Sequence, residues 1–210
     1  MKKYLLLFLV AFTTTAFPQD KKLNIFVGLA STNMESASEL SNSQMKDKTG
    51  ISLGANYEVL RFFTFSLRPQ IEFSQRGYKA YIEPYVSPLN RSEKLYKNPS
   101  GDVETNINYI MLSIYLNYEI NSMIGKFNLK AAPRYDILLG GKSEPDPRKI
   151  DTFKNSFGGS IGVSYSPDLS LSFSPFIEIV YHFDIIKPFE NESGGYLANK
   201  AFNINLGISL

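Results

Sequence analysis

The chain has 210 residues, 43% of them hydrophobic and 14% aromatic, with a formal net charge of +2 and no cysteine. Near-neutral charge and the absence of a basic run interleaved with aromatics argue against a nucleic-acid partner. An exported chain without cysteine cannot be a disulfide scaffold or a lipoprotein held through an N-terminal Cys, so packing and backbone pairing must hold it together.

Residues 1–16 read as a secretory signal peptide: Lys2 and Lys3 give a positive start, residues 4–12 a short apolar run, and Thr14, Thr15 and Ala16 small residues for cleavage after Ala16. The apolar run is well short of the roughly 20 residues of a spanning helix. Residues 17–210 then form one domain. Their first strand is predicted over residues 21–33, with Leu23, Ile25, Val27 and Leu29 on one face and Asn24, Phe26, Gly28 and Ala30 on the other. A polar loop, 34–48, follows. The second strand, 49–60, alternates Ile51, Leu53, Ala55, Tyr57 and Val59 with Ser52, Gly54, Asn56 and Glu58, and it reaches the third through a turn at Arg61 and Phe62.

The third strand, 63–76, has the clearest alternation in the chain. Phe63, Phe65, Leu67, Ile71 and Phe73 oppose Thr64, Ser66, Arg68, Gln70, Glu72, Ser74 and Arg76. Its length exceeds the roughly 5 to 6 residues of a globular strand and suits the about 9 to 11 of a tilted strand crossing a bilayer. Pro69 has no amide to donate, so a bulge is predicted there. Gly77 to Asp102, punctuated by glycine and proline and carrying four tyrosines, reads as a long loop with room for a short hairpin of its own.

Strands over 103–120 and 126–139 follow, joined by a short turn at 121–125; a polar loop fills 140–155. A strand over 156–166 turns at Pro167 and Asp168 into one over 169–185. After a last loop, 187–200, the chain closes with a strand over 201–210. Long loops follow the odd-numbered strands and short turns the even-numbered ones. The pattern predicts an all-β fold, an eight-stranded antiparallel up-and-down transmembrane β-barrel with short turns toward the periplasm. A mean hydropathy of -0.14 fits, because each lipid-facing apolar residue is diluted by a lumen-facing neighbour.

The polar faces carry Ser, Gly, Asn and Ala more than Lys, Glu and Thr, which suits a crowded lumen better than bulk water. Tyr57, Phe63, Tyr118, Tyr135, Tyr165 and Phe202, near strand ends on the apolar faces, are candidates for interfacial girdles. Parity gathers Glu58, Arg68, Glu72, Arg76, Glu119, Lys130, Arg134, Asp136, Glu178, His182 and Asp184 inside. An unpaired ion is costly in such a space, so these residues are expected to form mutual salt bridges that plug a narrow lumen. His182 lies close in sequence to Glu178 and Asp184, but no serine is singled out by spacing, so a lipid-modifying hydrolase has little support and no catalytic residue is assigned. One histidine with scattered carboxylates lacks metal-ligand spacing, and no metal or other cofactor is expected. A soluble exported ligand-binding barrel would need the faces inverted, apolar side inward.

Three segments resemble a known family. Residues 67–79, LRPQIEFSQRGYK, resemble the third-strand signature of PorT-like outer-membrane β-barrel proteins; 108–118, NYIMLSIYLNY, and 127–135 resemble two further strands of that family. Ser113 stands where the family often has proline and Ala132 where it often has glycine. The resemblance implies a bacterial outer-membrane location reached by signal-peptide export, and some members are linked to a secretion system. The expected partners are the lipid bilayer and lipopolysaccharide, the barrel-assembly machinery through the C-terminal strand, and a protein partner at the loop from Gly77 to Asp102. No nucleic acid is among them.

Overall fold

The computed structural model describes residues 22–36, 46–82, 101–144, 154–169, 172–186, 189–190 and 196–210; the expected signal peptide lies outside the described residues. Among the described residues, ten strands run in chain order: β1 (Leu23–Ser36), β2 (Lys48–Tyr57), β3 (Leu60–Phe62), β4 (Phe65–Ile82), β5 (Gly101–Ser122), β6 (Gly125–Glu144), β7 (Ser156–Pro167), β8 (Ser174–Ile186), β9 (Phe189–Glu190) and β10 (Tyr196–Ser209). Every pairing is antiparallel, in the order β1-β2-β4-β5-β6-β7-β8-β10, and β10 pairs back onto β1 to close the sheet. The short β3 extends the line of β2 against β4, and β9 adds to the end of β10, so the wall has eight staves. Closure leaves no edge strand along the wall.

The register sets the tilt. Stepping across paired residues from Asn24 through Asn56, Gln70, Ser113, Arg134, Gly158 and Asp184 returns to β1 about ten residues further along. With strand spacing near 4.8 Å and a rise near 3.3 Å, that stagger tilts the strands by roughly 40°. The outward apolar run of β5, from Ile110 to Ile120, then spans about 25 Å of height, the thickness of an outer-membrane apolar band.

Alternation sorts the side chains as the pleat requires. Leu29 and Leu206 are each 60% exposed on the outer surface, as are Leu53, Ile71, Ile114 and Ile161 at comparable levels, while Asn24, Ser52, Glu72, Ser113, Asn203 and Asn205 are buried inside. This orientation excludes the inverted, soluble barrel. Aromatic pairs edge the band at the short-turn end: Phe65 with Tyr118, ring centroids 5.1 Å apart, and Phe127 with Tyr165, 4.8 Å apart.

Several boundaries differ from the sequence reading. The β3–β4 turn sits at Phe63 and Thr64, two residues beyond the expected Arg61 and Phe62, and Phe63 takes a positive φ of 52° that a hairpin normally gives to glycine. Phe63 is therefore a turn residue, not part of a girdle strand. The extra residue expected at Pro69 lies on the neighbouring chain segment. Asn56 pairs with Gln70 and Leu60 with Leu67, so residues 57–59 face only Arg68 and Pro69, while β4 stays in unbroken register with β5. The bulge thus takes up the place where Pro69 has no N–H to offer.

The expected loop from Gly77 to Asp102 is strand at both ends, with Gly77 paired to Asn106 and Ile82 to Gly101; residues 83–100 lie outside the described residues. Gly77 does not end the strand because its place in the wall needs a residue without a side chain. Its φ is +151°, a Cβ there would lie 1.8 Å from the Thr105 carbonyl oxygen, and its N–H donates to Thr32 Oγ1 at 3.1 Å. Likewise β6 runs on to Glu144 past an extra residue near Leu139, β10 begins at Tyr196, and β8 begins at Ser174 rather than 169.

Candidate functional site

The site is the barrel interior, where inward positions of all eight staves meet. At the short-turn end Arg61 donates to both oxygens of Glu58, at 2.7 and 2.8 Å, and Arg68 donates to Glu58 Oε2 at 2.7 Å. Glu119 accepts from Arg61 at 3.3 Å and from Lys126 at 3.4 Å. At the next level Lys130 lies 2.5 Å from Glu178 and 4.1 Å from the centre of the Tyr115 ring, a cation–π contact made in a buried setting. Asn205 donates to Glu178, and Ser52 donates to Asn205, linking β8 through β10 to β2.

Higher up, Asp136 stands between two arginines. Arg76 donates to its Oδ2 and Arg134 to its Oδ1, both at 2.8 Å, and all three side chains are fully buried. Arg134 reaches on to Asp184 at 2.5 Å, and Asp184 also accepts from the Asn199 amide and side chain. The Arg76 guanidinium sits 5.5 Å from the Tyr109 ring centre. The chain of charges therefore crosses the lumen from β4 through β6 to β8. Tyr109 and Met111 are buried against Arg76, and Phe26, Phe176 and Val180 are buried in the same lumen. At the long-loop end Lys48 pairs with Glu104 at 3.0 Å, and Lys79 approaches the same carboxylate at 3.3 Å. The hydrogen bond and charge of Lys48, joined by Lys79, hold the Glu104 carboxyl below its ordinary range.

The sequence-predicted lumen residues are distributed as follows. Arg68, Arg76, Lys130, Arg134, Asp136 and Glu178 all stand in ion pairs. Glu72 is buried but accepts from the amides of Gln70, at 2.9 Å, and Asn203, at 3.0 Å, rather than from a cation. His182 does not join Glu178 or Asp184. Its Nδ1 is 2.8 Å from Ser160 Oγ, its Nε2 has no partner, and both acids are held by cations and asparagines, so no Ser-His-acid relay is assembled. Among the described residues, no three His, Cys, Asp or Glu side chains gather in metal-binding geometry.

Sequence reasoning missed Arg61 and Lys48. Arg61 reads as a turn residue, yet its side chain reaches Glu58 and Glu119 at the mouth of the barrel; Lys48 is one residue outside the predicted second strand. Extending the alternation of Ser52 backwards through Gly50 reaches Lys48 on the inward parity, a signal that was available.

Below the middle of the lumen is a cavity of about 50 Å³, lined by residues from every stave, among them Asn24, Asn56, Arg68, Tyr115, Lys130 and Glu178. Lys22, Lys126 and Ser209 surround it where strands meet the short-turn end, so that end is its mouth.

Comparison with solved structures finds the same fold in distant proteins. Neisserial surface protein A aligns with a TM-score of 0.51 at 14% identity, covering 90% of this chain and 96% of that one. A major outer membrane protein from Thermus thermophilus aligns with a TM-score of 0.52 at 12% identity, covering 91% and 98%. A search of curated proteins returned no match. The family model for the outer membrane protein beta-barrel domain matches residues 4–209. On that match, with the closed eight-stave wall and its outward apolar face, the chain belongs to the outer membrane protein beta-barrel domain family.

Proposed function

We propose that this protein is a non-conducting integral barrel of the bacterial outer membrane, exported by its signal peptide, with a structural or surface-interaction role and no enzymatic one. The observation that carries this reading is the fully buried chain Arg76–Asp136–Arg134–Asp184 across the lumen. A conducting pore needs a continuous water path. Here the charges pair across the middle of the barrel, and Tyr109 and Met111 lie against Arg76. Bilayer lipid and lipopolysaccharide meet the apolar wall, the barrel-assembly machinery engages β10, and the segment between β4 and β5 meets a protein partner. The PorT-like pattern of residues 67–79 supports a secretion-associated role. Single-channel recording of the purified barrel in planar bilayers tests the closed lumen: the expected result is no stable ohmic conductance, and large regular steps would overturn it.

A further inference from the structure

We propose that the cavity open at the short-turn end is a binding site for a small free oxyanion of phosphate or carboxylate size, held by the Lys22 ammonium and the Arg68 guanidinium. The charges around the cavity do not balance. Among the side chains, Lys22, Arg61, Arg68, Lys126 and Lys130 meet Glu58, Glu119 and Glu178, leaving two more cationic than anionic side chains. Every one of those carboxylates is already engaged: Glu58 by Arg61 and Arg68, Glu119 by Arg61 and Lys126, and Glu178 by Lys130 and Asn205. Lys22 has no carboxylate partner among the described residues, and Arg68 Nε, buried in the lining, has no acceptor. An ammonium without an ion-pair partner among the described residues and a guanidinium N–H without an acceptor thus border one polar cavity.

Burial, followed by the charge of Lys126 and then those of Arg61 and Arg68, lowers the pKa of Lys22, and the opposing pull of Glu119, which is shared with Arg61 and Lys126, does not offset them. An anion placed there would remove that repulsion and supply acceptors to both donors, each as a charge-assisted hydrogen bond. Asparagine amides and serine hydroxyls on the same wall give further neutral partners. At about 50 Å³ the space suits an ion or a few waters rather than a large ligand. Eight strands ring the cavity, so lipid headgroups are kept out laterally, and entry is along the axis. The inference shares the lumen with the proposed function and rests on the lumen being closed above the cavity.

The test is isothermal titration of the folded, detergent-solubilised protein with sodium phosphate, against sodium chloride at matched ionic strength. One saturable site is expected for phosphate and none for chloride. Lys22→Ala removes no ion pair, so the barrel folds, as heat-modifiability on a gel would verify; phosphate binding should weaken by at least roughly tenfold, the scale of a hydrogen bond to a charged group. Lys79→Ala, at the opposite end, should bind as the wild type does. Absence of a saturable site, or equal binding by wild type and Lys22→Ala, would overturn the proposal. Because conductance is measured separately, an open pore would refute the closed lumen whether or not phosphate binds.

Discussion

Replacing Asp136 by alanine tests whether the middle of the lumen is dry. Arg76 and Arg134 each place a guanidinium N–H 2.8 Å from this one carboxylate, and Ser156 Oγ donates to it at 3.2 Å. Removal leaves Arg134 with Asp184, but Arg76 keeps only the Tyr109 ring and the Met111 sulfur as close partners. Stranding one member of a buried ion pair costs about 3–5 kcal/mol, and the Tyr109 contact, present before and after the change, offsets none of it, so a loss of roughly 3–5 kcal/mol is expected. The chain has no tryptophan, so unfolding in urea is best followed by far-ultraviolet circular dichroism and by gel mobility of unheated samples. Replacing Arg76 by methionine in the same chain removes the stranded charge, and the double variant should lose less than the sum of the singles, with a coupling of about 1–3 kcal/mol. A loss under about 1 kcal/mol for Asp136→Ala, or strict additivity, would mean that water reaches this level and screens the charges.

At mid-height on the lipid face, Ile114→Arg should cost about 2–4 kcal/mol in bilayer-reconstituted protein, whereas Ser113→Ala, one residue away but inward, should be close to neutral because its hydroxyl has no partner. Gly77→Ala drives a Cβ into the Thr105 carbonyl at a φ of +151°, and the neighbouring contact is backbone and cannot swing aside. Limited proteolysis should then cut between β4 and β5 sooner than in wild type, with the heat-modified mobility of the barrel body preserved. The Glu104 carboxyl titrates below its ordinary 4.5 because Lys48 and Lys79 favour its charged form. Its contribution is therefore present above that value and fades as pH falls through the lower, folded-state value. Protease resistance of the long-loop end should drop in that acid window, and Glu104→Gln should show the lower resistance at neutral pH with no further acid drop.

Much of the wall was legible because a strand's period of two leaves no freedom: once Leu112, Ile114 and Leu116 face lipid, Met111, Ser113 and Tyr115 must face the lumen. Boundaries were less legible wherever a punctuating residue had a second use. Gly77 reads as a loop opener, yet it serves a strand that cannot hold a side chain at that position. The stretch from 140 to 144 reads as the start of a polar loop because of its Gly-Gly pair and polar composition, although β6 continues through it past an extra residue near Leu139. Within the lumen, parity gave membership but not partnership. Whether Glu72 meets an arginine or an amide depends on the stagger of the barrel, which brings Asn203 from β10 to its level. That stagger is the sum of several registers around the ring, each set by turns and bulges that carry weak sequence signals.

The charged interior has a physical origin that its contribution to stability does not explain. In a water-soluble core, a buried Arg–Asp–Arg–Asp chain is often matched or bettered by apolar residues of similar volume. A barrel in lipid differs because its outer face is already committed to Leu, Ile, Val and aromatic residues at alternate positions. Apolar residues inside as well would turn each stave into an unbroken hydrophobic strand. Such segments, with no charge or proline to interrupt them, are aggregation-prone while the chain is still in water. Residues 110–118 show the compromise. Ile110, Leu112, Ile114 and Leu116 alternate with Met111, Ser113, Tyr115 and Asn117, so the strand carries polar groups on the lumen side from Ser113 onward. Once the wall closes, the polar side chains of the staves are enclosed together, and the charged ones among them pair across the lumen. Ion pairing in the lumen is thus the folded-state consequence of a pattern that also keeps the chain manageable before it folds.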